Sequence, residues 1–248
     1  MDDIRGSAAA ATATATAPHG LTDLRGQNGP PLTLSYPAGS VLVVSGLPGS
    51  GKSTLLRRLS PDAPAVDPRI VHEACEAVMP AWLPYAVYRP WARVEHFRWL
   101  RAEVRGGRPF LVHDCGSRAW MRRWLAREAA RQGHELHLIL LDVTATEALA
   151  GQEARGRWAP RRVFDRHRRG LDRLSAELSG GSLPEAASVV LLDRVSRERV
   201  AAVEFAPGGG PGPTARELPA VLRAVVPRRG AGNCATSHDV PADDIPDS

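Results

Sequence analysis

The chain has 248 residues, 43% of them hydrophobic, which is enough apolar material for one sizeable domain or two small ones. Its formal net charge is +5, and arginine far outnumbers lysine. This balance permits anionic substrates such as nucleotides but does not by itself indicate nucleic-acid binding. Three cysteines without a C-x-x-C pair argue against a disulfide framework or a zinc site.

Targeting signals are not evident. The first residues lack a basic start followed by a leucine-rich apolar core, so we expect no secretory signal. No uninterrupted apolar run is long enough to span a membrane. A soluble cytoplasmic protein that does not bind a membrane is the expectation.

The two ends of the chain differ in composition from its middle. Residues 1–36 are rich in alanine and threonine, then in glycine and proline, and we expect them to be disordered. Residues 207–248 open with a run of glycine and proline and are expected to be mostly disordered, with one short helix possible around 215–226. One folded nucleotide-binding domain over residues 37–206 is predicted between these arms.

The first strong motif begins at Val41. Residues 41–45 are an apolar run typical of a buried strand, and residues 46–53 read G-L-P-G-S-G-K-S, a complete phosphate-binding P-loop. The following residues have the spacing of a helix packed on a sheet, which is the context this motif requires. The residues expected to contact nucleotide are Gly46, Leu47, Pro48, Gly49, Ser50, Gly51, Lys52, Ser53 and Thr54.

Each residue type in this loop suits phosphate. The glycines let the backbone curl so that its N–H groups point at phosphate oxygens, and the helix adds its positive N-terminal end. Lys52 can reach the β- and γ-phosphates, and the Ser53 hydroxyl can bind Mg²⁺. ATP and Mg²⁺ are therefore the expected cofactors, although nucleotide binding alone does not establish catalysis.

Further strands and helices alternate after the P-loop. Apolar runs predict five core strands in total, at residues 41–45, 65–67, 110–114, 137–142 and 188–193. Helices are predicted between them, and residues 200–205 are either an edge strand or a helix. The helix over residues 91–105 is expected to turn Trp91, Val94, Phe97 and Leu100 toward the core. The pattern predicts an α/β protein with the three-layer P-loop NTPase fold, a mostly parallel sheet of about five strands with helices on both faces.

Three aspartates follow predicted strands, at the edge where parallel sheets bind ligands. Asp114 suits the acidic group near Mg²⁺, and Asp67 suits a base or orienting group for an acceptor hydroxyl. Asp142 is expected at the same edge. The alternative for Asp67 and Asp114 is an ordinary helix cap or turn carboxylate.

The segment from Ala154 to Arg173 is strongly basic. Arg155 and Arg157 flank a glycine directly after a short predicted helix, which suits a mobile lid over the nucleotide. Arginine forks stabilise the charge that develops on a phosphoryl group in transfer. We therefore expect Lys52, Asp67, Arg155 and Arg157 to be the catalytic residues, and the remaining arginines to form a solvated helix face.

The P-loop, Asp67, the strand ending at Asp114 and the Arg155 and Arg157 lid together resemble the P-loop kinase group. Within it, the chain is similar to the AAA-type ATP-binding proteins of actinobacteria related to polynucleotide kinase, gluconate kinase and zeta toxin. The resemblance covers about residues 40–195 and implies transfer of the ATP γ-phosphate to a hydroxyl of a small molecule or a nucleic-acid end. It departs from the group at Gly151-Gln152, which stands where relatives have a first lid arginine.

The sequence bears on three other functions. A GTPase needs Asn-Lys-x-Asp, and neither Asn28 nor Asn233 begins that pattern. An ABC ATPase signature is imitated at residues 178–182, but Pro184 follows too closely for the helix it needs. A non-catalytic or regulatory ATP-binding module remains the alternative to a kinase, because it would keep the P-loop and need neither Asp67 nor the lid arginines.

Overall fold

The computed structural model describes residues 13–59, 63–113, 118–156, 158–181, 183–208 and 222. Nine strands and seven helices lie within these described ranges. In chain order they are β1 (Thr14–Thr16), β2 (Gly20–Asp23), β3 (Leu32–Tyr36), β4 (Val41–Gly46), α1 (Lys52–Leu59), β5 (Ala65–Val66), α2 (Pro68–Val78), α3 (Tyr85–Arg105), β6 (Phe110–His113), α4 (Ala119–Ala130), β7 (Leu136–Leu141), α5 (Ala145–Glu153), α6 (Arg161–Leu178), β8 (Ser188–Leu192), α7 (Arg194–Arg199) and β9 (Val200–Phe205).

The main sheet is parallel and has six strands in the order β2-β8-β7-β4-β6-β5. The P-loop strand β4 lies in its interior, with Val41 in register with Leu136 of β7 and with Phe110 of β6. All six residues of β4 are buried, because helices and a second sheet cover both faces. The predicted α/β class, the parallel sheet and its five core strands are therefore confirmed.

Alternate residues of β4 enter two separate cores, as the two-residue period of a strand requires. Val41 and Val43 pack with the apolar residues of α2, α3, α4 and α6 on one face. Leu42 and Val44 pack on the other face with α1 and with strands β3 and β9. The second face is thus covered by one helix and a small parallel sheet in the order β1-β3-β9, rather than by helices alone.

Residues 14–36 form three strands, which corrects the expectation that this arm is disordered. Strand β2 pairs in parallel with β8 and adds the sixth strand to the main sheet. Strand β3 pairs with β9, and Leu32, Leu34 and Tyr36 are buried. The composition of the arm concealed this because the strands are short, and β2 and β3 depend on partners about 170 residues away in the chain.

The C-terminal arm lies almost entirely outside the described residues. Leu222 is the described residue beyond 208, and it is fully buried in the core cluster on the α2, α3, α4 and α6 face. Among the helices in the described ranges, none is both long and apolar enough to cross a lipid bilayer.

Helix α3 differs from its prediction in two ways. It begins at Tyr85 and continues through Pro90, where the sequence predicted a break. Pro90 and Ala86 are both exposed, so the Ala86 carbonyl that loses its helical N–H partner can bind water. The buried face also differs from the one predicted, since Val94 is 53% exposed while Glu95, His96 and Trp99 are buried.

Candidate functional site

The P-loop joins the end of β4 to the start of α1 in a tight turn that glycine permits. Gly49 and Gly51 have φ angles of 96° and 92°, in the left-handed region that side chains disfavour. A Cβ on Gly49 would lie 2.0 Å from the carbonyl oxygen of Ala148, so helix α5 packs directly against the loop. The same contact explains Gly151, where a Cβ would lie 2.3 Å from the Gly49 oxygen. An arginine at position 151 would therefore require α5 to move away.

Lys52 lies at the first position of α1 and is 5% exposed. Its Nζ donates hydrogen bonds to the carbonyl oxygens of Gly46 at 2.7 Å and Leu47 at 2.8 Å. The ammonium group is thus held against the concave side of the loop by the loop's own backbone. A bound phosphate would meet this charge together with the N-terminal end of α1.

Asp67 lies at the end of β5 and caps α2, accepting a hydrogen bond from the backbone N–H of Arg69 at 2.9 Å. The Arg69 side chain turns back, and its Nη2 lies 2.9 Å from Asp67 Oδ2 and 3.4 Å from Ser53 Oγ. Asp67 is therefore both a helix cap and a member of the P-loop site. The same position therefore allows Asp67 to be a helix cap and a functional carboxylate.

His113, the last residue of β6, lies beside this pair, with Nδ1 3.7 Å from Asp67 Oδ1. Burial lowers the pKa of His113 to about 4, despite the nearby Asp67 charge that would raise it, so the ring is neutral near pH 7. Burial would raise the pKa of Asp67, but His113 and then the guanidinium and backbone N–H of Arg69 hold that pKa below its ordinary value. Because the His113 ring is neutral near pH 7, Arg69 is the positive charge beside Asp67 at that pH.

A cavity of about 320 Å³ connects these residues. Pro48, Gly49, Gly51, Lys52, Ser53, Asp67 and Arg155 all line it, so the structure brings together most of the described residues that the sequence singled out. Helices α2, α3, α4 and α6 supply the remaining wall. Gly46 contributes its carbonyl to Lys52, Leu47 and Ser50 are buried beneath the loop, and Thr54 is exposed on α1 outside the lining.

The predicted lid lies at the same cavity. Arg155 lines it, and its Nε donates to the Gly151 carbonyl at 2.8 Å. Gln152 connects the lid to the loop, since its Nε2 donates to the Pro48 carbonyl at 3.1 Å and its Oε1 accepts from the Ala159 N–H at 2.6 Å. Arg157 lies outside the described residues.

The other two strand-end aspartates differ from Asp67. Asp114 lies outside the described residues, so its predicted role at Mg²⁺ stays a prediction. Asp142 does not line the cavity and instead forms an ion pair with Arg25 from the loop after β2. The expectation that Asp142 shares the P-loop cleft is corrected, because β7 and β6 lie on opposite sides of β4.

Several residues at the site were not predicted. Arg197 of α7 supports the P-loop, donating from Nη1 to the Ser50 carbonyl at 2.8 Å. The others line the cavity, namely Arg69, His96, His113, Arg118, Gln152 and His167. Arg69 and His113 had a usable signal, since each lies within two residues of a strand-end aspartate. The rest are brought in by helix packing alone.

Comparison with known proteins places this geometry in a family. A family model described as an AAA domain matches residues 41–174, which is more than half of the chain. The matched region runs from the start of β4 to within α6 and so contains the P-loop, Asp67 and the lid. A search among curated proteins finds no match.

Three solved structures are similar to the chain at low identity. One, from work on the PezAT toxin–antitoxin system of Streptococcus pneumoniae, is 13% identical over 66% of this chain and 69% of that chain, with a TM-score of 0.49. A gluconokinase from Sinorhizobium meliloti 1021 is 18% identical over 66% and 91%, with a TM-score of 0.39. A sugar kinase from Janibacter sp. HTCC2649 is 20% identical over 63% and 86%, with a TM-score of 0.35.

TM-scores below 0.5 do not assign a substrate, so the family match and the geometry of the P-loop carry the assignment. That match covers a strand, a complete phosphate-binding loop and the helix that follows it, in the arrangement that nucleotide binding requires. The protein therefore belongs to the AAA domain family, and its P-loop lies between β4 and α1 of a parallel α/β sheet.

Proposed function

We propose that the protein is an ATP-dependent kinase that transfers the γ-phosphoryl group to a hydroxyl of an acceptor. The observation that carries this proposal is that Lys52, Ser53, Asp67 and Arg155 line one cavity with room beyond the P-loop. A module that only binds nucleotide needs the first two residues. A carboxylate and a lid arginine in the same cavity are the additional groups that transfer requires.

The nucleotide is assigned to the P-loop end of the cavity. Backbone N–H groups of residues 46–53 would bind the phosphates, and Lys52 would exchange its bonds to Gly46 and Leu47 for bonds to phosphate oxygens. This exchange is favourable because an ammonium bonds more strongly to a charged phosphate than to a neutral carbonyl.

Mg²⁺ suits the oxygen donors present here. The Ser53 hydroxyl and the Asp67 carboxylate both lie within 3.4 Å of Arg69 Nη2, so two oxygen donors of the kind that suits Mg²⁺ are close together here. Ser53 would hold the ion, with Asp114 as the further ligand that the sequence predicts. When bound, the ion neutralises charge on the β- and γ-phosphates.

Asp67 is assigned to the acceptor. In the transfer step the acceptor oxygen bonds to the γ-phosphorus, the bond from that phosphorus to the β-bridging oxygen breaks, and ADP leaves. The hydroxyl proton passes to Asp67 and then to water. Because the pKa of Asp67 is held low, this residue serves mainly to align the hydroxyl, and Arg155 stabilises charge on the transferred group.

A non-catalytic ATP-binding module is the second candidate, and one observation favours it. Asp67 already caps α2 and is bound by Arg69, so it has a structural role without any acceptor. The two candidates differ in what acceptors do. A kinase turns over ATP faster when the correct hydroxyl is present, whereas a module releases no additional ADP.

The test uses the full chain with radiolabelled ATP, Mg²⁺ and three pools of acceptors, namely sugars, nucleosides and 5′-hydroxyl oligonucleotides. We expect label in one pool and acceptor-dependent ADP, both lowered about 100-fold in Asp67→Asn and retained in Asp172→Asn, an exposed control on α6. ATP binding without acceptor-dependent turnover in any pool would establish the module instead.

A further inference from the structure

The cavity extends beyond the phosphate-binding residues to a wall built by four helices. We call this part the helical wall, and it contains the lining residues of α2, α3 and α6 together with the start of α4. The whole cavity, including its P-loop end, has a volume of about 320 Å³, which is at the lower end of the range of sites for small organic ligands. The helical wall therefore accommodates a compact molecule rather than a long polymer.

Apolar side chains make up much of this wall. They are Val71, Tyr85, Ala92, Phe97, Met121 and Val163. Tyr85 packs edge-on against His72 with ring centroids 4.3 Å apart, and Phe97 packs edge-on against Trp124 at 5.1 Å. These contacts fix the ring orientations, so the wall offers preorganised aromatic surface to a flat or apolar ligand.

The charged groups of the wall are positive. Arg93 of α3 and Arg118 before α4 both line the cavity. The acidic residue among the described lining is Asp67, and Arg69 already binds it. Guanidinium groups at this wall suit an anionic ligand, because they bind carboxylates and phosphates through paired hydrogen bonds.

His96 lies between these charges. It is 8% exposed, it lines the cavity, and neither ring nitrogen has a hydrogen-bond partner among the described residues. Burial lowers the pKa of His96 to about 4, with Asp67 and Arg118 close enough to act on it in opposite directions. The ring is thus neutral near pH 7 and offers one donor and one acceptor. Because buried polar groups are usually hydrogen-bonded and His96 lines the cavity, a ligand there can supply its partner.

We propose that the helical wall is the acceptor subsite and that it takes a small organic anion with an aromatic or apolar ring and a hydroxyl group. His96 hydrogen-bonds the polar part of this ligand, Arg93 and Arg118 attract its charge, and the apolar side chains pack on its ring. This inference rests on the proposed kinase function, because the hydroxyl is placed toward Asp67 for transfer. It goes further by naming the class of acceptor.

Three probes separate the features of this class. The probe 4-(hydroxymethyl)benzoate has the ring, the charge and the hydroxyl; benzyl alcohol lacks the charge, and gluconate lacks the ring. Binding is measured calorimetrically to the full chain with a non-hydrolysable ATP analogue present. We expect 4-(hydroxymethyl)benzoate to bind about 10- to 100-fold more tightly than either analogue. This is the range expected for losing one charge-assisted contact in benzyl alcohol and for losing the burial of one ring in gluconate.

Variants locate the binding. Arg93→Gln and Arg118→Gln should remove the preference for the charged probe, while Arg105→Gln, an exposed control at the end of α3, should keep it. His96→Leu should weaken the charged probe at least about 10-fold without lowering Tm, because a buried unpartnered ring is replaced by an apolar group. His96→Gln should recover part of the affinity. A lower Tm in His96→Leu with unchanged probe affinity would make His96 structural and overturn its role.

The outcomes distinguish this inference from the proposed function. Tight, variant-sensitive binding of the charged probe with no phosphate transfer would support the subsite and count against the kinase. Equal binding of the three probes, binding of none, or a preference for a 5′-hydroxyl oligonucleotide would overturn the subsite. A labelled acceptor of another class would in that case leave the kinase proposal intact.

Discussion

Arg69 Nη2 lies 2.9 Å from Asp67 Oδ2, and the same nitrogen reaches to within 3.4 Å of Ser53 Oγ. One guanidinium therefore spans the carboxylate assigned to the acceptor and the hydroxyl assigned to Mg²⁺. The ion pair is part-buried, with Asp67 16% exposed, so solvent screens it less than a surface pair. Arg69 therefore connects the carboxylate proposed to align the acceptor with the hydroxyl proposed to bind Mg²⁺.

Asp67→Asn tests the carboxylate. Asparagine keeps the size and still caps a helix, so α2 and the fold should persist. Loss of the charge should lower acceptor phosphorylation about 100-fold while ATP affinity and Tm stay near wild type. Initial rates, calorimetric ATP binding and thermal melts measure the three quantities. Normal transfer would remove Asp67 from the mechanism, and unfolding would make it a structural cap alone.

Arg69→Gln tests whether Arg69 sets the pKa of Asp67, through the pH dependence of phosphate transfer. Arg69 holds the pKa of Asp67 below its ordinary value, so wild-type transfer should persist as pH falls until that low pKa is reached. Without the guanidinium the pKa of Asp67 rises, and the acid limb of the kcat/KM profile should move to higher pH. Arg57→Gln, on the exposed side of α1, should leave the limb in place. If the acid limb of the kcat/KM profile stays at the same pH in Arg69→Gln, the group that titrates in this profile is not Asp67.

Lys52→Ala tests the nucleotide site. Affinity for Mg·ATP should fall about 10-fold or more, because a charge-assisted contact to phosphate is lost. Stability should fall by about 1 kcal/mol, because the Gly46 and Leu47 carbonyls lose a donor. Binding by calorimetry and unfolding in urea measure these changes.

A second readout of this site is available because Lys52 is the one lysine in the chain. Acylation of its side chain, followed by mass spectrometry, should be slowed by ATP in a saturable way. Lys52→Arg keeps the charge but replaces a compact ammonium with a planar fork, so it should bind ATP more weakly than wild type. Unchanged ATP affinity in Lys52→Ala would contradict the P-loop assignment.

Arg155→Ala tests the lid. A lid arginine acts on charge that develops in transfer, so kcat should fall more than KM for ATP rises. Arg168→Ala is the matched control, since Arg168 is exposed on α6 and makes only a 4.0 Å contact with Asp165 among its described ion pairs. The same expectation holds for Arg157. An increase in KM with no change in kcat would place these arginines in ground-state binding.

Truncation tests the N-terminal strands. A chain starting at residue 37 loses β2 and β3, including the buried residues Leu32, Leu34 and Tyr36. Burial of such side chains stabilises by about 1.5–3 kcal/mol each, so this truncation should unfold at much lower urea or fail to fold. A chain starting at residue 13 should match the full protein. Equal stability of both truncations would show that residues 13–36 add nothing to the folded unit.

Local patterns were sufficient for the centre of the molecule. The order of residues 41–53 predicts a strand, a loop and the start of a helix. The glycines permit the tight backbone turn, and the lysine binds phosphate, so each requirement is local. The core strands at residues 110–113 and 188–192 were predicted because continuous apolar runs indicate strands buried on both faces. These features are encoded within a few residues of where they act.

Helix α3 shows the limit of local reasoning. Leu100 is buried in the core, and Trp91 and Phe97 pack against that core as predicted, but Val94 is 53% exposed. Nine residues at about 100° each make two and a half turns, so Trp91 and Leu100 lie on opposite sides of the helix rather than on one narrow stripe. The predicted stripe was therefore correct only in part, and buried polar residues at the cavity, such as His96, were missed.

By itself, the sequence determined the phosphate-binding loop, the strands that flank it and the family, because these depend on contacts between chain neighbours. The tertiary structure alone decided that Arg69, His113 and His96 share a cavity with Lys52, and that residues 14–36 join the sheets. Those contacts join residues far apart in sequence, and their free energy comes from pairing and burial that form only when the whole chain folds.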